Sequence, residues 1–354
     1  MGETVHLVWN KGIAALCDRR FPDEFPDGRN YKPVPAYAGA MWSSRLPQRL
    51  IPEESAKGEI REGDLVWVRL SWLKSFIGQV LPWVKANFVL VTGDSDSCVP
   101  SELGREARAV LECSKVVHWY TQNYDGSAPS ERISAIPIGI DFHMISERTS
   151  WGEEVSSPQE QERALVAMGK GFPPLPERQQ RVYVDFGWQR EFGLYRRLRP
   201  LKGTRFHESR RQIGKKLRGN ALVCSQSGPL PRREMWRRRG EYAFVLSPHG
   251  MGLDCHRTWE ALALGHIVLA PSSSLDPLYV DLPVVPLTSW SEITPENLER
   301  WRSQHSQGVT DHERLRSCYW VTAMRRSGDD FATSGVGVAN RSVESDGPDS
   351  HEHE

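Results

Sequence analysis

The sequence predicts an α/β protein of two units, each a parallel sheet with helices on its faces, and three observations carry that prediction. Continuous apolar runs such as Asn87-Phe-Val-Leu-Val-Thr92 end in loop residues, here Gly93-Asp94, as parallel strands buried on both faces do. These runs alternate with stretches of helical spacing, as crossover connections require. A Ser-, Glu-, Gln- and Pro-rich interval from Glu147 to Arg178 separates two such series, and 354 residues at roughly 150 per domain suit two units.

In the first series, Val5–Trp9 reads as an opening strand and Asp64–Arg69 as a second, followed by helical spacing over Leu70–Val84. Asn87–Thr92 is the next strand, Glu102–Cys113 a helix, and Lys115–Trp119 and Ile133–Ile138 two further strands. The polar interval is a connection with room for one helix, and it closes on Phe172-Pro-Pro-Leu-Pro176. In the second series, Val182–Phe186 is a strand, Gln189–Leu201 a helix, Ala221–Cys224 a strand, and Tyr242-Ala-Phe-Val-Leu246 a buried strand. Asp254–Leu264 is a helix, His266–Ala270 and Val284–Leu287 are strands, and Pro295–Gln304 and Asp311–Arg325 are closing helices. The expected layout is a first unit over 1–146, a linker over 147–180, a second unit over 181–326 and a tail over 327–354. The tail has seven acids against one Arg and few apolar residues, the composition of a disordered segment. Its closing His-Glu-His-Glu reads as polar, with metal binding there adventitious.

Composition narrows the function classes. Hydrophobic residues at 39% and charged residues at 25% permit a sizeable core, and 45 Lys+Arg balance 45 Asp+Glu, so bulk charge does not mark a polyanion binder. The longest dense apolar stretch, Leu65–Leu90, is interrupted by Arg69, Lys74 and Lys85, so no membrane span is expected. The N-terminus lacks a basic segment followed by an apolar core, so no signal peptide is expected and the default compartment is the cytoplasm. Six cysteines without CxxC or zinc-finger spacing exclude a structural zinc module and favour reduced thiols.

The most informative stretch runs from Phe244 to Gly265. A buried strand leads into a loop containing Ser247, His249, Gly250 and Gly252, then a helix for which Asp254 is the expected N-cap. Free backbone N–H groups and the helix dipole at such a junction favour a phosphate. His256 and Arg257 fall in the first turn, where a cation disfavours the helix itself, so Arg257 is placed to hold a diphosphate through its forked N–H groups. Glu260, one turn on, suits a ribose diol. The plainer reading is an ordinary strand–helix unit with a glycine turn. The glycines form neither GxGxxG nor a P-loop.

This run, Ser-Pro-His-Gly-x-Gly-x-Asp-x-His-Arg-x-Trp-Glu-Ala-Leu-x-x-Gly-x-Ile, resembles the donor-nucleotide region of exostosin-like glycosyltransferases. Leu275-Asp-Pro-Leu-Tyr279, Leu282-Pro-Val-Val and Trp290-Ser-Glu-Ile-Thr294 continue the resemblance, which covers Tyr242–Trp301 well and the first half loosely. It implies a GT-B fold: two Rossmann-like domains facing across a cleft, with a nucleotide-sugar donor, of UDP type, held mainly by the second. It also implies that Arg257 meets the diphosphate and Glu260 the ribose. Transfer would go to a glycan or to a protein- or lipid-linked hydroxyl, with inversion and with no metal required, although a divalent metal is compatible. The chain departs from the family in showing no N-terminal membrane anchor of the kind its Golgi and ER members carry.

The first half offers candidates for a catalytic base. Asp94 and Asp96 lie beyond the carboxyl end of a strand, where open α/β sheets bind ligands. Asp-x-Asp also holds metal in glycosyltransferases of another fold, while the plainer reading is a capped turn. His118 and Asp141, on the following strand and loop, complete the set, and the sequence does not choose among the four. Trp119, Gln122 and Asn123 suit a sugar acceptor, the ring stacking on sugar and the amides bonding hydroxyls, though Trp119 fits a core position equally.

Between Arg178 and Arg239, eighteen Lys/Arg face four acids. That excess is a solvated face or a field attracting an anionic ligand. Its aromatic residues fit core positions, which makes nucleic acid an unlikely partner. A nucleotide-sugar transferase is therefore the leading expectation. A non-catalytic module of the same build, binding glycan or nucleotide, is the alternative.

Overall fold

The computed structural model describes residues 5–21, 60–129, 131–188, 201–204, 208–226, 228–305 and 312–335, with 327–335 described by backbone alone. The helix predicted over Gln189–Leu201, apart from Leu201 itself, and the tail from 336 lie outside these residues.

Two all-parallel five-stranded sheets form the frame. In the first unit, helix α1 (Asn10–Leu16) precedes β1 (Arg19–Phe21), followed by β2 (Leu65–Arg69), α2 (Leu73–Gln79), β3 (Phe88–Gly93), α3 (Arg105–Glu112), β4 (Val116–Thr121), β5 (Ile133–Ala135) and the short α4 (His143–Glu147). The strands lie side by side in chain order, β1 to β5. Every residue of β3 is buried, which explains its unbroken apolar sequence. After α5 (Pro158–Lys170) come β6 (Gln179–Val184), α6 (Arg210–Lys216), β7 (Val223–Ser225), α7 (Arg232–Arg239), β8 (Tyr242–Leu246), α8 (His256–Ala263), β9 (Ile267–Pro271), β10 (Val284–Leu287), α9 (Pro295–Gln304) and α10 (Ser317–Gly335). The second sheet has the order β7-β6-β8-β9-β10. The chain therefore changes direction across the sheet between β6 and β8, the switch point at which doubly wound sheets open a ligand crevice beyond their strand ends.

Several elements differ from expectation. Val5–Trp9 is no sheet strand: Leu7 and Trp9 make isolated antiparallel bridges to Arg316 and Gly139, and the Glu162 carboxylate takes the His6 and Leu7 N–H groups. The predicted Leu70–Val84 helix breaks into 3-10 turns around α2, the second of them at Pro82. The β5 strand stops at Ala135 because Pro137, two residues on, has no N–H for a ladder. The linker contains a capped helix: Ser157 and Glu160 satisfy each other's backbone N–H groups at the start of α5. Leu165 on that helix is buried in the shared core.

Helix α10 packs on α1, β3 and β4 of the first unit, so its residues do not belong to the second unit as the 181–326 range supposed. It also runs on to Gly335, past the expected start of the tail. Arg325 pairs in bidentate fashion with Asp18, at 2.8 and 2.9 Å. One apolar cluster crosses between the sheets, joining Trp67, Val89 and Val91 to Val245, Trp259 and Val268. The outer faces of the sheets have cores of their own. No helix among the described residues is long and apolar enough to cross a membrane.

Candidate functional site

The carboxyl ends of both sheets meet along one seam. On the first side, β3 delivers Gly93 and Asp94. A Cβ on Gly93 would stand 2.7 Å from Asn10 Oδ1, so the close approach requires glycine. Asp94 adopts the left-handed backbone region at φ +65°, which costs an L residue roughly 1 kcal/mol or more. Its N–H donates to Gln122 Oε1 at 2.9 Å. Lys11 Nζ, 3.1 Å away, and Arg69 Nε, 2.8 Å away, both reach Asp94 Oδ2. The buried Oδ1 finds no hydrogen-bond partner among the described residues. Burial pushes the Lys11 ammonium down to about 7 although Asp94 lies against it. Glu147 is an exposed residue whose carboxyl is nonetheless pushed up to about 7 by loss of water around it, against the attraction of Lys11.

On the second side, the switch point falls between Asp185, just after β6, and the loop after β8. Arg239 and Arg257 both bind the Asp185 carboxylate, one oxygen each. Burial would raise that carboxyl, but the two guanidiniums hold it below its ordinary value. Arg257 also lies over the Phe186 ring, 4.9 Å from its centre. In the loop, the Gly250 N–H donates to the Gly252 carbonyl at 3.1 Å. The Ser247 and Thr258 hydroxyls lie 2.8 Å apart. His249 spans Leu253 O at 2.7 Å and the Thr204 hydroxyl at 2.8 Å.

Specific polar bonds hold the seam. The Asp254 N–H donates to Asn123 Oδ1 at 2.9 Å, and Asp254 Oδ2 accepts from the Ile138 N–H at 2.7 Å. His256 Nδ1 donates to the Gly139 carbonyl at 2.7 Å. Asp141 Oδ1 lies 2.7 Å from His143 Nδ1. Burial alone would raise Asp141, but the two imidazoles and Arg232 hold its carboxyl well below the usual carboxylate range.

Several expected roles do not survive the geometry. Glu260 does not face a ribose: α8 turns it inward, where Arg232 binds one oxygen and Trp236 Nε1 donates to the other at 3.3 Å. Asp254 is not the N-cap, which is Cys255; its side chain accepts instead from Trp259 Nε1 at 2.9 Å. Trp119 is fully buried, donating to the Thr92 hydroxyl, so it offers no stacking face. Gln122 and Asn123 are buried braces, not acceptor contacts. His118 sits mid-strand against Ser134 Oγ at 2.9 Å, short of the strand end, and burial pushes it down to about 4. Asp94 faces two cations, which argues against an Asp94–Asp96 metal site, and Asp96 is exposed. The sequence reading missed Lys11, Arg69, Asp185, Arg232 and Arg239. A signal existed only for Asp185, which directly follows the Val-Tyr-Val end of β6.

No protein-family model and no curated protein matches the chain. Solved structures give distant likenesses. An α,α-trehalose-phosphate synthase (UDP-forming) from Burkholderia xenovorans in complex with glucose-6-phosphate is 11% identical, over 80% of this chain and 75% of that one, at TM-score 0.32. The Burkholderia vietnamiensis α,α-trehalose-phosphate synthase is 12% identical over 82% and 77%, at TM-score 0.34. The pneumococcal O-GlcNAc transferase in complex with UDP and GlcNAc is 10% identical over 82% and 58%, at TM-score 0.29. At such scores the likeness assigns no activity to this chain.

Proposed function

We propose that this protein is a glycosyltransferase that moves a sugar from a nucleotide-sugar donor, of UDP type, to a hydroxyl on a glycan or on a protein- or lipid-linked acceptor. The observation that carries this reading is the pairing of two features across the seam. One is the β6/β8 switch point with Arg257 and the glycine loop. The other is Asp94, with one buried carboxylate oxygen lacking a described partner. The exostosin-like run over Phe244–Pro271 supports the same class of donor.

In this mechanism the diphosphate binds beyond the ends of β6 and β8. There the first backbone N–H groups of α8 and Arg257 stabilise the charge that develops as the glycosidic bond to phosphate breaks. Asp185 fixes the guanidinium, so little reorganisation is needed when the leaving group forms. The Asp94 side chain is buried, so its Oδ1 accepts the hydrogen of the attacking hydroxyl only when the seam opens around it, while Lys11 and Arg69 hold its other oxygen. Attack from the side opposite the leaving group inverts the anomeric centre, and no step calls for a metal. Glu260 takes no part with the ribose; it holds Arg232.

The engagement of Arg257 by Asp185 favours one second reading, a binding module that retains the build without turnover. A thermal-shift panel of UDP, GDP, ADP and CMP, followed by assay of sugar-nucleotide turnover, separates the two. A ligand at a hundred times its Kd adds about 2.7 kcal/mol of apparent stability. Stabilisation by one nucleotide that is lost in Arg257→Ala, together with turnover lost in Asp94→Asn, is the expected result. Nucleotide binding without turnover would establish a nucleotide-binding module, and no shift from any nucleotide would overturn the transferase and leave a module that binds glycan.

A further inference from the structure

Three side chains that the transfer chemistry leaves unused converge on the seam from both units. Asp141 comes from the loop after β5, His143 from the start of α4, and His256 from the first turn of α8 in the second unit. Each presents one potential ligand atom, and the three atoms lie within 4.8 Å of one another. We propose that Asp141, His143 and His256 bind a divalent first-row transition metal, zinc by their donor set, which clasps the two units together.

Two imidazole nitrogens and one carboxylate oxygen form a donor set that zinc accepts with a fourth position for water. Zinc–nitrogen and zinc–oxygen distances of about 2.0–2.2 Å give a tetrahedral edge of about 3.4 Å. Atoms within 4.8 Å of one another need to close by at most about 1.4 Å to reach that edge. The orientation of His256 is already set: the Gly139 carbonyl only accepts, so Nδ1 carries the proton and the Nε2 lone pair becomes the ligand. Asp141 Oδ1 and His143 Nδ1 lie 2.7 Å apart, so an ion shared by these two atoms takes the place of the proton between them. Asp141 and His143 are buried, which limits competition from water. The first turn of α8 beneath His256 opposes a cation, and the Asp141 carboxylate supplies the counter-charge. The site has no sequence signature because its ligands come from two units more than a hundred residues apart. It does not depend on the chain being a transferase.

The test is zinc titration of the chelator-stripped full chain against a chromophoric competitor, with melting followed in parallel. One equivalent should bind, with a melting temperature that rises with zinc concentration. Asp141→Asn and His256→Gln should each weaken binding at least tenfold while the metal-free proteins keep the wild-type circular dichroism. If His256→Gln fails to fold, Asp141→Asn and His143→Gln carry the test. A chain with H351A and H353A, which lacks the terminal His-Glu-His-Glu ligands, should bind as the wild type does. Absence of stoichiometric zinc overturns the proposal. So does equal affinity in the Asp141 and His256 variants, or loss of binding with the terminal histidines.

Discussion

Asn123 and Asp254 lock the two units to each other: Asn123 Oδ1 accepts the Asp254 N–H at 2.9 Å, and Asn123 Nδ2 donates to the Ser95 carbonyl at 2.8 Å. Asn123 does this from the left-handed backbone region, at φ +54°. Asn123→Ala leaves buried partners unmet and places a Cβ in a conformation that disfavours it, so it should cost roughly 2–4 kcal/mol. Asn123→Gly relaxes the backbone but loses the same bonds and should cost less. Urea unfolding of both variants checks this, and equal losses would show that the backbone conformation contributes nothing.

Gly139 carries a second constraint on the seam. Its φ is +69°, and a Cβ there would stand 2.2 Å from the Val8 carbonyl oxygen, a backbone atom that cannot yield. Gly63 has a similar φ of +77° with nothing within 4 Å. Gly63→Ala therefore reports conformation alone, about 1–2 kcal/mol, whereas Gly139→Ala should cost more than about 4 kcal/mol or prevent folding. Comparable melting temperatures for the two variants would contradict the close approach.

Arg232 ties Glu260 to both units, reaching Gln161 Oε1 at 3.0 Å and the Asp141 carbonyl at 2.7 Å as well as the carboxylate. Arg232→Met strands a buried charge and should cost about 3–5 kcal/mol. Adding Glu260→Gln to it should restore part of that loss, because the stranded charge goes. A double-mutant cycle by chemical denaturation measures the coupling. Strict additivity would mean that the two side chains do not interact.

The frame of the fold was legible in the sequence because parallel strands buried on both faces must be apolar throughout, as β3, β8 and β9 are. The two sheets, their central strands and the strand–glycine–helix junction after β8 followed from that, whereas β1 (Arg19–Phe21), short and charged, was not expected and Val5–Trp9 is no sheet strand. Roles at the seam did not. Glu260 looked like a ribose contact by its place in the motif, and only Arg232 and Trp236, from a helix some twenty-five residues earlier, show that it faces inward. Trp119, Gln122 and Asn123 have the chemistry of sugar contacts, yet Trp119 is core of the first sheet's outer face, Gln122 braces loops of the first unit, and Asn123 reaches across to the second. Lys11 gave no signal, since one Lys in an N-terminal apolar segment carries no period or spacing that marks a buried ion pair.

Lys11 also makes stability depend on pH in a direction that can be tested. Its ordinary value is 10.5, and in the folded protein it falls to about 7. Between these values the unfolded chain binds the extra proton, so stability rises with pH across the window at up to about 1.4 kcal/mol per unit. The penalty is fully present below pH 7 and disappears as the unfolded lysine deprotonates near 10.5. Lys11→Met removes this dependence while Arg69 still holds Asp94. Urea unfolding of wild type and Lys11→Met at pH 7.5, 8.5 and 9.5 should show the wild type gaining steadily on the variant as pH rises. Parallel stability curves would mean that Lys11 keeps its ordinary affinity for protons and that Asp94 alone fully compensates its burial.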